Sequence, residues 1–283
     1  MNEAFIESPP PTRRMNEPAV QALVDHQTMR ERVDTGWYPE WVGAHFTTFT
    51  EALTGTRAGT PFPCHFGQRS IREGHPLYTA VPSLTDATVL LRFRDAMLEY
   101  LDTYQDRPGL VSLIAFFRPP ASEWSEQQYH EALWHLLQFL HVHDPAPWPA
   151  EIPTDPDDSK WEFCFGGEPM FPTCRAPFYT DRPSRYCPIG LEITFQPRTL
   201  FAGITHDTPA GAAARDQIQG RIVAYDGKHP HPDLGDWGVP GDREWKQYLF
   251  REDPAEAPER CPISISREHP KARPVTEMLV ADD

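Results

Sequence analysis

The residues of this chain that could do chemistry are twelve histidines, five cysteines and a cluster of arginines, in 283 residues of formal net charge -15. His130, His135, His141 and His143 fall in one stretch whose apolar residues Leu133, Trp134, Leu136, Leu137 and Leu140 repeat at helical spacing. His141 lies four residues after Leu137 and seven after Trp134, so it borders the apolar stripe. A histidine there either satisfies its ring on a backbone carbonyl or ligates a metal. His135 falls on another side. His229 and His231 flank Pro230 in a loop that reads as a metal-binding loop or a surface turn. Cys64 and His65 are adjacent in a segment that reads as a loop entering a short strand. Strand neighbours face opposite ways, so the pair would not serve one metal together. Cys187 and Cys261 each precede a proline.

Residues 161–201 mix aromatics, charge and backbone punctuation more densely than any other stretch. Trp161, Phe163 and Phe165 alternate with Glu162 and Cys164, which is a strand with an aromatic face. Gly166–Gly167 permits positive φ and a tight turn, with Glu168 just beyond it. Arg175, Arg182 and Arg185 fall in the loop that follows. Ile189, Leu191, Ile193 and Phe195 then alternate as a second half-buried strand. Arginines between two strands suit a carboxylate or a propionate through bidentate contacts, or a solvated loop. A haem would need one axial ligand, an apolar and aromatic pocket and cations for its propionates, and the chain has residues of all three kinds. A non-haem site of two histidines and a carboxylate can also be drawn from it. It carries no GxGxxG, P-loop, HExxH, paired CxxC or GxSxG signature.

Several elements must position these groups. A short helix is expected around Val20–Met29 and a second from Trp37 to about Gly55. An amphipathic helix runs over Thr85–Tyr104, and the apolar run Leu110–Phe117 reads as a central strand. Ser125, with Gln128 three residues on, forms a capping box for a helix to about His143. Gly211–Tyr225 is a further helix with Arg215 and Arg221 exposed, and Glu244–Arg251 is the last element. The pattern predicts an α+β fold: a single domain with a mixed or antiparallel central sheet and helices packed around it. That domain spans 16–265, between a flexible tail at 1–15 and a polar tail at 266–283.

The acidic balance, 41 Asp and Glu against 26 Lys and Arg, argues against nucleic-acid or anionic-membrane partners. The 32 prolines are spread through the chain, as in a folded protein with many rigid loops. An odd number of cysteines without a CxxC pair, and no signal-peptide or membrane-length apolar run, predict free thiols and a cytoplasmic protein.

The run WEFCFGGEPMFPTCRAP, followed by RPSRYCPIGLEITFQPR, resembles the YqcI/YcgG family. FPCHFG, LLQFLHVHD, HPDLGDWG and EWKQY fall in the matching order over about residues 60–262. The resemblance implies a haem-dependent monooxygenase that hydroxylates a nitrogen of a free amino acid in natural-product or antibiotic biosynthesis. The substrate would be L-arginine, converted at its guanidine to N-omega-hydroxy-L-arginine. It implies haem b with its iron, dioxygen and an electron donor, and allows a homodimer. On the matching positions, His141 is the first axial ligand to consider, with His231 and then Cys64 as alternatives. Arg182, Arg185 and Lys246 would bind propionates or another anion, and Glu162 and Glu168 a cationic guanidinium in catalysis. A haem-binding sensor or carrier without oxygenase activity, and a non-haem iron oxygenase, are the alternative readings.

Overall fold

The computed structural model of the protein describes residues 20–205 and 207–267. In chain order these form β1 (Val24–Asp25), α1 (His26–Asp34), α2 (Glu40–Thr54), β2 (Thr56–Arg57), β3 (Thr60–Pro61), α3 (His65–Glu73), β4 (Leu77–Val81), α4 (Ala87–Thr103), β5 (Leu113–Phe117), α5 (Glu126–Val142), β6 (Phe163–Phe165), β7 (Glu168–Arg175), β8 (Glu192–Pro197) and α6 (Pro209–Asp226). The main sheet has the order β1-β4-β5-β8-β7-β6, with β2 and β3 as a separate ribbon. Only β4 and β5 pair in parallel, joined through α4; every other neighbouring pair is antiparallel. The result is a single α+β domain with a mixed sheet, as the sequence pattern predicts. The expected tail at 1–15 lies outside the described residues, as does all but the start of the tail expected at 266–283.

Local chemistry explains most boundaries. Asp86 starts α4 by accepting from the Thr88 and Val89 amides at 2.8 and 3.2 Å. Ser125 and Gln128 form the expected reciprocal cap of α5. All five residues of β4 and of β5 are buried, because helices cover both faces. On the first face, Leu77, Val81, Leu113, Ala115, Phe117, Ile193 and Phe195 pack under α4 and α5. On the second, Tyr78, Ala80, Ile114 and Phe116 pack under Met29, Val42, Phe46, Phe49 and Leu53 of α1 and α2. The sheet is therefore the middle of three layers.

Four local expectations change. Val24 does not continue a helix; it pairs with Tyr78 at the sheet edge. Cys64 and His65 are not on a strand: Cys64 caps α3, its Sγ accepting from the Gly67 amide at 3.3 Å, a role usually taken by an oxygen. Residues 168–175, read as the end of a turn and the start of a loop, form an interior strand despite Pro169 and Pro172. Cys174 turns its N–H away from β8 to the Tyr248 carbonyl, at 2.9 Å. Pro172 has the same parity, so its missing N–H faces the side where β6 has already ended at Phe163 opposite Met170. Pro169 has the opposite parity and lies past the last β8 pair, Met170 with Pro197. Each proline thus sits where no partner strand would receive a hydrogen bond. Lastly, Arg215 and Arg221 on α6 are half-buried rather than exposed.

Replacing Leu137, fully buried on α5, by alanine should cost about 2–5 kcal/mol of stability. Val223→Ala, on the exposed side of α6, should stay within about 0.5 kcal/mol. Urea midpoints of the two variants check the assignment of faces.

Candidate active site

Over β7 and β8 the second face of the sheet is polar and is not sealed. Alternation sends Ile193 and Phe195 into the core and leaves Thr194 and Gln196 on the other side. On β7, Phe171, Thr173 and Arg175 share that side. Above them α3 and α6 stand apart and leave a cavity of about 370 Å³. Its ceiling carries Ala214, Ile218 and Ile222 of α6 with Cys64, Phe66 and Ile71 of the α3 segment. Its far end is closed by Arg198, Phe201, Trp237 and Glu244. Arg175 and Arg198 are separated by the length of β8, about 20 Å of extended chain.

The end near Arg175 is cationic. Arg175 is 7% exposed. It donates to Glu192 at 2.9 Å and to the Tyr186 carbonyl at 2.6 Å, while its Nε has no partner. Glu192 in turn meets His45 Nδ1 at 3.0 Å, and His45 Nε2 lies 2.9 Å from the Phe117 carbonyl. Arg185 lies over the Phe250 ring at 4.6 Å and, among the described residues, has no carboxylate within ion-pair distance. Burial lowers its pKa. The charges of Arg185 and Arg221 act on the Cys64 sulfur, as do the Gly67 and Phe66 amides, against burial, which pushes its thiol up.

The other end is anionic. Arg198 forks onto Glu162 at 2.8 and 2.6 Å and donates the other Nη2 N–H to Glu244 at 2.8 Å. Glu162 is fully buried behind Arg198, whereas Glu244 faces the cavity. Burial, then the neighbouring Glu162 charge, pushes Glu244 up to about 8. Burial also raises Glu162, against the pull of Arg198.

The structure distributes the residues singled out from the sequence over several places. Cys64 and Arg185 line the cavity. No histidine among the described residues does. His141 is buried on α5, on the opposite face of the sheet, where its Nε2 accepts from the Ser266 amide at 3.0 Å and its ring stands edge-on to Trp148. His231 has both nitrogens engaged, Nε2 with the Arg251 carbonyl at 3.0 Å and Nδ1 with the Asp233 amide at 3.1 Å. Burial, then Arg182, lowers its pKa. Arg182 donates to the His229 carbonyl at 3.2 Å, one turn from the cavity wall. Lys246 reaches toward Asp233 at 3.8 Å. Glu162 supports Arg198 from behind, and Glu168, raised by burial, opens β7 at the β6 hairpin. Arg175, named from the sequence as a loop arginine, stands instead at the end of β7 on the cavity floor, and Arg198, Glu192, Glu244 and His45 are the groups that sequence reasoning passed over. Glu244 stands two residues from Lys246 in EWKQY, so the motif marked the place but not the residue.

His45, Cys187 and Glu192 place three donor atoms within 4.8 Å of one another. Two of the three are engaged inside the fold, His45 with Phe117 and Glu192, and Glu192 also with Arg175, while Cys187 Sγ lies 3.7 Å from His45 Nδ1. One histidine falls short of the two-histidine non-haem set. All five cysteines are free thiols. No helix of the described residues is long and apolar enough to cross a membrane.

A carboxyl group whose folded pKa is raised stabilises the protein below its unfolded value, and that contribution is lost as pH rises to the folded value. Stability of the protein without substrate should therefore fall between about pH 4.3 and about pH 8, the value Glu244 reaches. Glu244→Gln should flatten the fall. Urea midpoints across this window test it, and an unchanged slope in the variant would place the proton elsewhere.

Comparison with known proteins adds the lineage. Residues 49–264 match the YqcI/YcgG family. The chain is 34% identical over 229 residues to "Uncharacterized protein YcgG" of Bacillus subtilis, covering 80% of this chain and 89% of that one. It is 32% identical over 205 residues to "Uncharacterized protein YqcI" of the same organism, covering 71% and 80%. It is 30% identical over 209 residues to the Streptomyces lavendulae protein named "Putative N(omega)-hydroxy-L-arginine synthase DcsA", covering 72% and 78%. No solved structure matches. With its motif and these matches in agreement, the chain belongs to the YqcI/YcgG family.

Proposed function

We propose that this protein is a haem-dependent N-oxygenase that hydroxylates the guanidine of L-arginine to N-omega-hydroxy-L-arginine, using dioxygen and an external reductant. The observation that carries the reading is the two-ended cavity. One end offers a thiol and under-used arginines, and the other offers a carboxylate. The relative named for hydroxyarginine synthesis supports the choice of reaction and substrate.

The residues lining the cavity are of the kinds that would hold a haem. Cys64 Sγ is a soft donor at a helix start; burial raises its pKa, and the Gly67 and Phe66 amides and the charges of Arg185 and Arg221 oppose that rise without reversing it, so the thiol would give up its proton only on binding the iron. Arg185, with no carboxylate of its own among the described residues, would hold a propionate, and Arg175, paired with Glu192, would add the N–H of its unpartnered Nε. Phe66, Ile71, Ile218 and Ile222 are an apolar enclosure for the ring. His141 and His231, weighed first from the sequence, are engaged in hydrogen bonds away from the cavity, so the reading takes Cys64 as the ligand. Bound haem would supply the binding and reduction of dioxygen. In the overall balance one oxygen atom enters an N–H bond, and the other leaves as water with two electrons and two protons from outside. The chain's own part is to orient the substrate nitrogen and to exclude bulk water from the cavity.

Reconstitution with haemin should give a Soret band that Cys64→Ala abolishes or shifts and that His141→Ala and His231→Ala retain. With L-arginine, dioxygen and a reductant, mass spectrometry should show a product heavier by one oxygen atom. Absence of the band would sink the haem reading. A wild-type band in Cys64→Ala would refute Cys64 as ligand. A band without turnover would make the protein a haem carrier or sensor.

A further inference from the structure

The far end of the cavity has one positive charge for two buried carboxylates. Glu162 is fully buried and Glu244 is 4% exposed. Arg198 holds Glu162 through two N–H groups, one on Nε and one on Nη2, so Glu162 is the bidentate partner. Glu244 accepts a single N–H from Nη2 at 2.8 Å, and its second oxygen accepts from the neutral Gln247 Nε2 at 3.2 Å. The neighbouring cations are committed: Arg215 pairs with Asp236, Lys246 with Asp233 and Arg243 with Asp157. A buried carboxylate without a full counter-charge is costly unless it is protonated or meets a cation. Only Glu244 of the two faces the cavity, beside the rings of Trp237 and Phe201. Arg198 already lies over the Trp237 ring at 4.9 Å, which shows that a flat cation suits that wall.

We propose that Glu244 recognises the cationic head of the substrate, a guanidinium or a related flat cation, and that Glu162 and Arg198 act as positioning residues that fix its carboxylate at the cavity wall. The proposal rests on the arginine reading for its probe, while the demand for a cation comes from the charge count. Glu162 and Glu168, the carboxylates the sequence suggested for this task, are respectively sealed behind Arg198 and placed at the β6–β7 hairpin. With Glu244 held up to about 8 in the free protein, a guanidinium would displace a proton on binding. Affinity for a cation should then rise with pH up to that value, by as much as about tenfold per unit.

The test is calorimetric titration of the purified full-length protein, as isolated and after haemin reconstitution, with L-arginine, agmatine and L-citrulline. Agmatine keeps the guanidinium and lacks the carboxylate; citrulline replaces the guanidinium by a neutral urea of similar shape. Arginine and agmatine should bind, citrulline at least about 10-fold more weakly. Arginine binding should release a proton, read as an enthalpy that differs between phosphate and Tris buffers. Glu244→Gln should weaken arginine about 10–100-fold, abolish the proton release and the pH slope, and leave citrulline binding and the Soret band unchanged. Glu244→Asp, which keeps the charge, should recover part of the loss. Equal affinity for citrulline and arginine, or unaltered arginine affinity in Glu244→Gln, would overturn the proposal. Glu244-dependent arginine binding without a Soret band would leave it standing while the oxygenase reading fell. A Soret band with turnover, but no effect of Glu244→Gln, would remove this inference alone.

Discussion

The register of β7 against β8 is the constraint on which the rest of the structure depends. Arg175 stands opposite Glu192, Thr173 opposite Thr194 and Phe171 opposite Gln196. Because side chains alternate, this pairing sends Met170, Cys174, Ile193 and Phe195 into the core and lays the polar set as a floor. A slip of one residue in either strand would drive charge into the core and bring the apolar set up into the cavity. The two prolines of β7 are compatible with this register because each missing N–H falls where a neighbouring strand has ended.

That floor imposes an electrostatic cost which the fold meets at both ends. At one end Glu192 is held between His45 from α2 and Arg175 from β7, and His45 is stacked on Phe116 at 5.2 Å. At the other, Arg198 bridges Glu162 and Glu244, residues far apart in sequence. Buried ion pairs are weak evidence for stability, since desolvation offsets much of their attraction. Their consequence here is geometric. They fix which charged atoms reach the cavity wall and which are hidden behind it, and they give the cavity opposite polarity at its two ends.

Much of the architecture was legible beforehand, and the exceptions are instructive. The periodicity of α4 and α5, the apolar run of β5, the Ser125–Gln128 cap and the Gly166–Gly167 turn are local patterns. Gly166 and Gly167 indeed take φ of 62° and 78°. α3 escaped notice because it is nine residues long and its cap is a cysteine that follows Pro61 and Pro63. β7 escaped because proline normally argues against an interior strand, and its excuse is the length of its neighbours. The site was legible in type but not in membership: arginines and carboxylates were expected, yet Arg175, Arg198 and Glu244 are the ones that meet the cavity together with Arg185 and Cys64.

The sequence by itself determined the α+β class, most helices and the family, because these depend on spacing within a few turns and on contiguous motifs. Only the tertiary structure decided which charges pair and which face the cavity. His45 meets Glu192 across 147 positions and Arg198 meets Glu244 across 46. Such partners are chosen by strand register and helix docking, and burial then removes the water that would otherwise let each charge stand alone.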